Sequence, residues 1–325
     1  MNIIVFGGAG FIGTNLIKRL LSENHKVLSV DNLFTGQIEN ALLFNENENY
    51  SFIRGDITDE SFMEVILDIS IKKLFGENPN IDEIYNLACP ASPPKYQIDP
   101  FYTIYTSIAI DTISKMTLKY NAKLLHTSTS EVYGDPEIHP QNEKYRGCVN
   151  TMGPRSCYDE GKRIAETFLY EHITKNKLKC KVVRIFNTYG PYMDPNDGRV
   201  VSNFICQALK NEDITVYGDE NKTRSFQYID DLIDGMILFM RNTSDDFYGP
   251  LNIGNPDEFT LKELYELVLK NIDTKSNIVY KEEMKDDPKK RRPDISLAKE
   301  KLNWEPKVKL NEGLLKTINY FKSVI

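Results

Sequence analysis

Two short stretches hold the groups best able to move protons. "TSTSEVYG", residues 127–134, sets four serine and threonine hydroxyls and a carboxylate directly behind the apolar run "KLLH". Within it, Thr129 and Ser130 can donate hydrogen bonds to a developing oxyanion, and Glu131 can accept or return a proton. Further along, "SCYDEGKR" places Lys162 four residues after Tyr158, and of the 18 tyrosines only this one has a lysine at that spacing. On a helix the two share a face, and an ammonium near a phenol favours the phenolate. Tyr158 is therefore a candidate general base toward a hydroxyl. A Tyr-Lys pair also occurs on ordinary helix surfaces, so its meaning depends on what else the chain brings to the same place.

The amino terminus brings a nucleotide site. "NIIVFG" is a short β-branched run ending in glycine, and helical spacing follows from Phe11 to Leu21. Between them "GGAGFIG" sets Gly7, Gly10 and Gly13 at the strand-to-helix turn, where bare backbone lets amides approach a pyrophosphate at the positive end of a helix. Phe11 and Ile12 lie in the same turn. Asp31 closes the second predicted strand, about twenty residues on, where a carboxylate accepts hydrogen bonds from the adenosine ribose. It would repel a 2′-phosphate, so NAD is favoured over NADP. Asn32 follows it, Asp56 and Ile57 end the third strand, and Leu87 ends "IDEIYNLA"; these complete the candidate cofactor site.

These residues need a frame that gathers strand ends on one edge. The runs "HKVLSVD", "YSFIRGD", "IDEIYNLA", "AKLLHTS" and "KVVRIFN" read as strands, separated by helical patterns at 61–75, 99–120 and 155–175. Strands alternating with helices predict a Rossmann-type doubly wound parallel sheet over residues 1–187. Ligands bind outside the carboxyl ends of such strands. From Thr188 the rhythm loosens into short strands ("ITVYG", "LNIG", "NIVYKE") and amphipathic helices. This predicts a smaller α/β domain over 188–325, with 227–240 a candidate to return to the first.

Bulk properties exclude several classes. A chain of 325 residues with 41% hydrophobic content can bury a large core. A net charge of −7 disfavours nucleic acid and anionic membranes as partners. Five cysteines without a C-x-x-C pair and four scattered histidines predict reduced thiols and no metal site. The first strand begins at Asn2 and no apolar run is long enough to span a bilayer, so a soluble cytoplasmic protein is expected.

The order of these motifs resembles the extended short-chain dehydrogenase/reductases, and within them the UDP-glucuronate decarboxylase (UDP-xylose synthase) family. The resemblance runs through "GGAGFIG", "DNLFTG", "NLACPASPPKYQIDP", "TSTSEVYGDPEIHPQ", "GPRSCYDEGKRIAET", "RIFNTYGPYMDPNDGRVVSNFICQAL", "TVYGDENKTRSFQYIDDL" and "DDPKKRRPDI". It implies tightly bound NAD, oxidation at C4 of the glucuronyl ring, loss of carbon dioxide from the β-keto acid, and return of the electrons to C4. Tyr158 would be base and then acid, and Lys162 would hold the ribose. Thr129 and Ser130 would stabilise the oxyanion and Glu131 would manage the C5 proton or the ring geometry. Arg291 would face the substrate carboxylate, while Lys289, Lys290 and Arg292 remain surface candidates. The resemblance also implies substrate contacts from Pro94 and Tyr96 in a proline-stiffened loop, and a UDP cradle of Asn187, Arg199, Val200, Tyr217, Arg224 and Tyr228; Val200 and Tyr228 also suit a core. A homodimer through the 99–120 and Tyr158 helices is expected.

Departures from the family pattern are a longer 64–80 segment, Asn86 in place of histidine, Asp111 and Ser114 in place of glycine and asparagine, and "YRG" at 145–147 in place of Tyr-Trp-Gly. The nearest competing activity is a nucleotide-sugar 4,6-dehydratase, which usually carries Asp-Glu where this chain has Ser130-Glu131, because expelling a hydroxyl needs a proton donor. A serine hydroxyl is too weak an acid for that. A 4-epimerase, a decarboxylase of a related uronate and a non-catalytic NAD-binding scaffold would each share part of this motif set.

Overall fold

The computed structural model describes residues 1–283 and 290–325. Strands β1 (Asn2–Phe6), β2 (Lys26–Asp31), β3 (Tyr50–Arg54), β4 (Glu83–Asn86), β5 (Lys123–Thr129) and β6 (Cys180–Ile185) form a parallel sheet, which Leu251–Ile253 extends beside β6. The spatial order is Leu251–Ile253, β6, β5, β4, β1, β2, β3. Side chains alternate between two cores: Ile3 and Val5 face one, Ile4 and Phe6 the other, and all four are fully buried. Burial on both faces explains why the strands read as continuous apolar runs.

The strand order reverses between β1 and β4, and their carboxyl ends open a crevice. Helix α1 (Phe11–Ser22) starts there and buries Leu16, Ile17 and Leu20 against the sheet. The helix Ser156–Asn176 buries Tyr158, Gly161, Lys162, Ala165 and Leu169, a 3- and 4-residue spacing that fixes one face inward. A side chain on Gly161 would stand 2.8 Å from Ser107 Oγ, so the glycine lets the helix Pro100–Ile108 approach.

Three expectations change. The helix expected over 99–120 divides into Pro100–Ile108 and Ile110–Lys119 at Ala109, whose ψ of −9° departs from regular helical geometry. The pattern at 61–75 opens with a wide π turn, Phe62–Ile66, before Leu67–Phe75. "LNIG", read as part of the second domain, supplies the outermost strand of the central sheet. The helix Ile229–Arg241 brings the chain back to it, packing on α1, β5 and β6.

Among the described residues the carboxyl-terminal lobe carries three two-stranded pairs, including Ile214–Tyr217 with Ile278–Lys281 and Thr223–Ser225 with Glu258–Thr260. Its helices Val200–Leu209, Leu261–Asn271 and Leu310–Val324 contribute Phe204, Leu264 and Phe321 to the same apolar cluster as Ile3 and Val5. A shared core holds the lobe over the strand ends.

Candidate active site

A cleft of about 400 Å³ lies between the strand ends and the lobe. At its amino-terminal side no side chain caps α1 and its first turn has no acidic residue, leaving amides for an anion. Gly7 adopts φ +79°, and a Cβ there would lie 2.7 Å from the Leu87 carbonyl carbon. A Cβ on Gly13 would collide with the Gly7 carbonyl oxygen and Gly8 Cα. Gly10, Phe11, Ile12, Asn32, Ile57 and Leu87 line the same cradle. Asp31 accepts the Ala9 amide at 3.0 Å and the Leu33 amide at 2.8 Å; burial pushes its carboxyl up against the pull of those bonds. This uncapped, glycine-walled cradle ending in an inward carboxylate fits NAD.

The middle of the cleft holds the proton-transfer groups. Thr129 ends β5, and its hydroxyl accepts the Glu131 amide at 3.2 Å, starting the short turn Ser130–Tyr133. Arg291 is only 2% exposed, and its Nη1 donates to Ser130 Oγ at 2.9 Å and to Glu131 Oε1 at 2.8 Å. Nη2 donates to Gly134 O at 3.1 Å, while the buried Nε–H has no protein partner. Arg155 holds the other Glu131 oxygen at 2.5 Å. Burial would push the Glu131 carboxyl up, but Arg291 and then Arg155 outweigh it and hold the group below the usual carboxylate range. Glu131 is thus an ionised acceptor.

Tyr158 is 5% exposed and stacks on Tyr96, rings 5.0 Å apart and 4° from parallel. The Tyr96 hydroxyl is buried without a partner. Lys162 Nζ donates to Thr127 O at 2.9 Å and lies 5.9 Å from the Tyr158 ring centre. Burial pushes the Tyr158 phenol up, the Cys89 thiol adds to this, and a hydrogen bond with Thr129 opposes it. The lowering expected from Lys162 does not appear; burial dominates.

On the lobe side, Asn187, Arg199, Val200, Tyr217 and Arg224 line the cleft. Three of the residues named from the sequence do not. Tyr228 is 3% exposed and packs edge-on against Tyr189, so it belongs to the core. Pro94 packs where a Gly198 side chain would point, and Asp56 is bound by Asn32 at 2.8 Å and by Tyr102 at 2.9 Å. Lys290 is exposed and Arg292 half-buried, paired with Glu258 at 3.6 Å; Lys289 lies outside the described residues.

Comparison with known proteins fixes the family. A family model described as GDP-mannose 4,6 dehydratase matches residues 4–317. The chain is 46% identical to UDP-glucuronic acid decarboxylase 1 of Arabidopsis thaliana over 327 aligned residues, spanning 100% of this chain and 71% of that protein. This chain belongs to the UDP-glucuronic acid decarboxylase family. Among solved structures, UDP-glucose 4-epimerase of Thermotoga maritima superposes with a TM-score of 0.88 at 32% identity, covering 100% of this chain and 99% of that one. A UDP-glucuronic acid 4-epimerase of Bacillus cereus, solved with UDP-glucuronic acid and NAD, gives 0.86 at 25% identity with full coverage of both.

In this decarboxylase-family chain, sequence reasoning did not single out Arg155 or Asp159. Arg155 stands inside "GPRSCY", three residues before Tyr158, and its pairing with Glu131 crosses 24 residues. Asp159 follows Tyr158, is 7% exposed, and has one buried oxygen with no hydrogen-bond partner. Burial pushes its carboxyl up to about 7, and nearby Glu131 adds to this against Arg155 and Arg291. A charged residue at the first turn of an amphipathic helix gives no sequence sign that it is buried.

Proposed function

We propose that this protein converts UDP-glucuronate to UDP-xylose and carbon dioxide with bound NAD and no net redox change. The observation that carries this reading is Arg291, a guanidinium buried in the cleft beside Ser130 and Glu131, with one N–H unpartnered. A guanidinium that lines the cleft suits a substrate carboxylate.

Gly7, Gly10, Gly13 and the amino end of α1 would hold the NAD pyrophosphate, and Asp31 the adenosine ribose. NAD, when bound, supplies the reversible oxidation of the C4 alcohol to a ketone. Tyr158 takes the proton of the 4-hydroxyl and later returns it. Lys162, anchored on Thr127 O, binds the nicotinamide ribose and favours the Tyr158 phenolate. With a ketone at C4, the bond from C5 to the carboxylate breaks, carbon dioxide leaves, and its electron pair delocalises into the carbonyl. Thr129 and Ser130 donate to the resulting oxyanion. A proton is then added at C5, with Glu131 governing its approach, so the overall reaction consumes one proton. Arg199, Arg224, Asn187, Val200 and Tyr217 would hold UDP, the arginines by paired bonds to the diphosphate. Tyr96, which lines the cleft, would contact the sugar.

One observation favours a second reading. The Bacillus cereus neighbour is a 4-epimerase whose sugar also carries a carboxylate, so Arg291 excludes only epimerases of neutral sugars. Ser130 argues against a dehydratase, as a serine hydroxyl is too weak an acid to protonate a leaving hydroxyl. Incubating the NAD-loaded protein with UDP-glucuronate and recording mass spectra tests the proposal. A UDP-pentose supports it; a nucleotide sugar of unchanged mass contradicts it.

A homodimer and a cytoplasmic location belong to the same proposal. Phe101, Tyr105 and Ile108 on Pro100–Ile108 are 72%, 59% and 38% exposed, beside exposed Ile164 on the Tyr158 helix. Such a patch suits a second copy. Asp111 pairs with His172 at 2.7 Å and Ser114 is fully buried, so neither departure removes this apolar face. Among the described residues no helix is long and apolar enough to cross a membrane.

A further inference from the structure

Arg291 reaches the cleft from a segment that has little regular structure of its own. What fixes that segment is a residue of the 134–155 loop, Gln141, which is fully buried yet does not line the cleft. The Gln141 amide donates to Arg292 O at 2.9 Å, and the Asp294 amide donates to Gln141 O at 2.8 Å, a one-residue parallel bridge opposite Pro293. The side chain adds a third bond: Gln141 Oε1 accepts the Arg292 amide at 2.9 Å. Its Nε2 donates to Ile138 O at 2.8 Å, which orients the carboxamide with its oxygen toward Arg292.

Behind this bridge stands Asn252, also fully buried. Its Nδ2 donates to Gln141 O at 3.0 Å and Asp294 O at 3.2 Å, and its Oδ1 accepts the Tyr133 hydroxyl at 2.7 Å. Tyr133 belongs to the turn that begins at Ser130. One hydrogen-bonded frame therefore joins the backbone that carries Arg291 to the turn that carries Ser130 and Glu131. Within that frame, the Gln141 side chain grips the peptide unit that directly follows Arg291.

We infer that Gln141 is a positioning residue for carboxylate recognition: it fixes the backbone after Arg291 so that the guanidinium stands at the sugar end of the cleft. This rests on the reading of Arg291 as the partner of the substrate carboxylate. Replacing Gln141 by methionine keeps length and bulk and removes the acceptor for the Arg292 amide. The backbone bridge and the guanidinium's bonds to Ser130, Glu131 and Gly134 remain, so the segment loosens at the peptide after Arg291 and the guanidinium shifts within the site, which weakens a carboxylate-bearing ligand and leaves its carboxylate-free counterpart unaffected.

The test measures dissociation constants of UDP-glucuronate and UDP-xylose for the wild type, Gln141→Met and Arg291→Gln by calorimetry, each loaded with NADH, which cannot oxidise C4 and so leaves both ligands intact. The expected result for Gln141→Met is roughly tenfold weaker UDP-glucuronate binding with UDP-xylose binding within about twofold of wild type. Equal weakening of both ligands, or of neither, overturns the inference. If Arg291→Gln leaves the ratio of the two constants unchanged, the reading of Arg291 itself fails. If Arg291→Gln changes the ratio and Gln141→Met does not, only the role of Gln141 fails. Should Gln141→Met not fold, amide hydrogen exchange on the wild type decides: the Arg292 amide is protected like the core, whereas exchange as fast as that of exposed Lys290 overturns the inference.

Discussion

Arg291 and Glu131, 160 residues apart in sequence, pair side by side in the cleft at 2.8 Å, and Arg155 grips the opposite oxygen of the same carboxylate. The carboxylate between two guanidiniums keeps both arginines at the site. It also keeps Glu131 ionised.

That arrangement separates Arg291 from its basic neighbours. Arg291→Ala is expected to lower kcat/KM about 10²–10³-fold, the scale of losing a group that stabilises transition-state charge. Lys290→Ala, at an exposed position, is expected to stay within about twofold of wild type. Steady-state kinetics on the two variants checks this, and equal losses would return the whole basic run to surface status.

Tyr158→Phe removes one oxygen and keeps the ring that stacks on Tyr96. Turnover is expected to fall about 10²–10⁴-fold, the usual range for losing a general acid–base, with melting temperature and bound NAD unchanged. Loss of NAD or of folding in this variant would mean that the phenol is structural.

The glycine turn gives a contrast within three residues. Gly13→Ala drives a methyl into Gly7 O and Gly8 Cα, which are backbone and cannot swing aside. At Gly10 a Cβ meets nothing nearer than 3.4 Å. Gly13→Ala is expected to lower the melting temperature and purify with little NAD, whereas Gly10→Ala is expected to keep the wild-type melting temperature and lose NAD because its methyl enters the space the pyrophosphate needs, as read from thermal melts and cofactor released by heat.

The turn and the Tyr-Lys pair were legible because each is local: a few residues adjacent in sequence define the whole feature. Tyr228 was readable only as a choice between core and cleft, since an aromatic residue after "RSFQ" suits either. The Leu251–Ile253 strand was misplaced because three residues carry too little periodicity to show which sheet they join. Arg155 with Glu131, and Gln141 with Arg292, were not legible, since those contacts exist only once distant segments meet. The same holds for Asp159, whose burial follows from packing around Glu131.

Asp159 makes a pH-dependent prediction. Its carboxyl rises from an ordinary 3.8 to about 7 in the folded protein, through burial and then Glu131, with Arg155 and Arg291 opposing and Glu160 adding. A raised folded value means that folding favours the protonated form. The stability this gives is complete below the unfolded value and is lost as pH rises through the folded one. Asp159→Asn, which cannot ionise, should therefore gain in melting temperature relative to wild type between about pH 4 and pH 7, with no further gain above. Thermal melts of both proteins across that range check it; a difference independent of pH would show that the carboxyl titrates normally.

The central claim is that the bond from C5 to the carboxylate breaks and C5 takes a proton. Its most direct test is to run the NAD-loaded protein with carboxyl-labelled UDP-glucuronate in deuterium oxide and follow carbon and proton spectra together. The account predicts that the label leaves as carbon dioxide in step with UDP-xylose carrying one deuterium at C5. Label retained in a UDP-uronic acid, with no deuterium at C5, would contradict it.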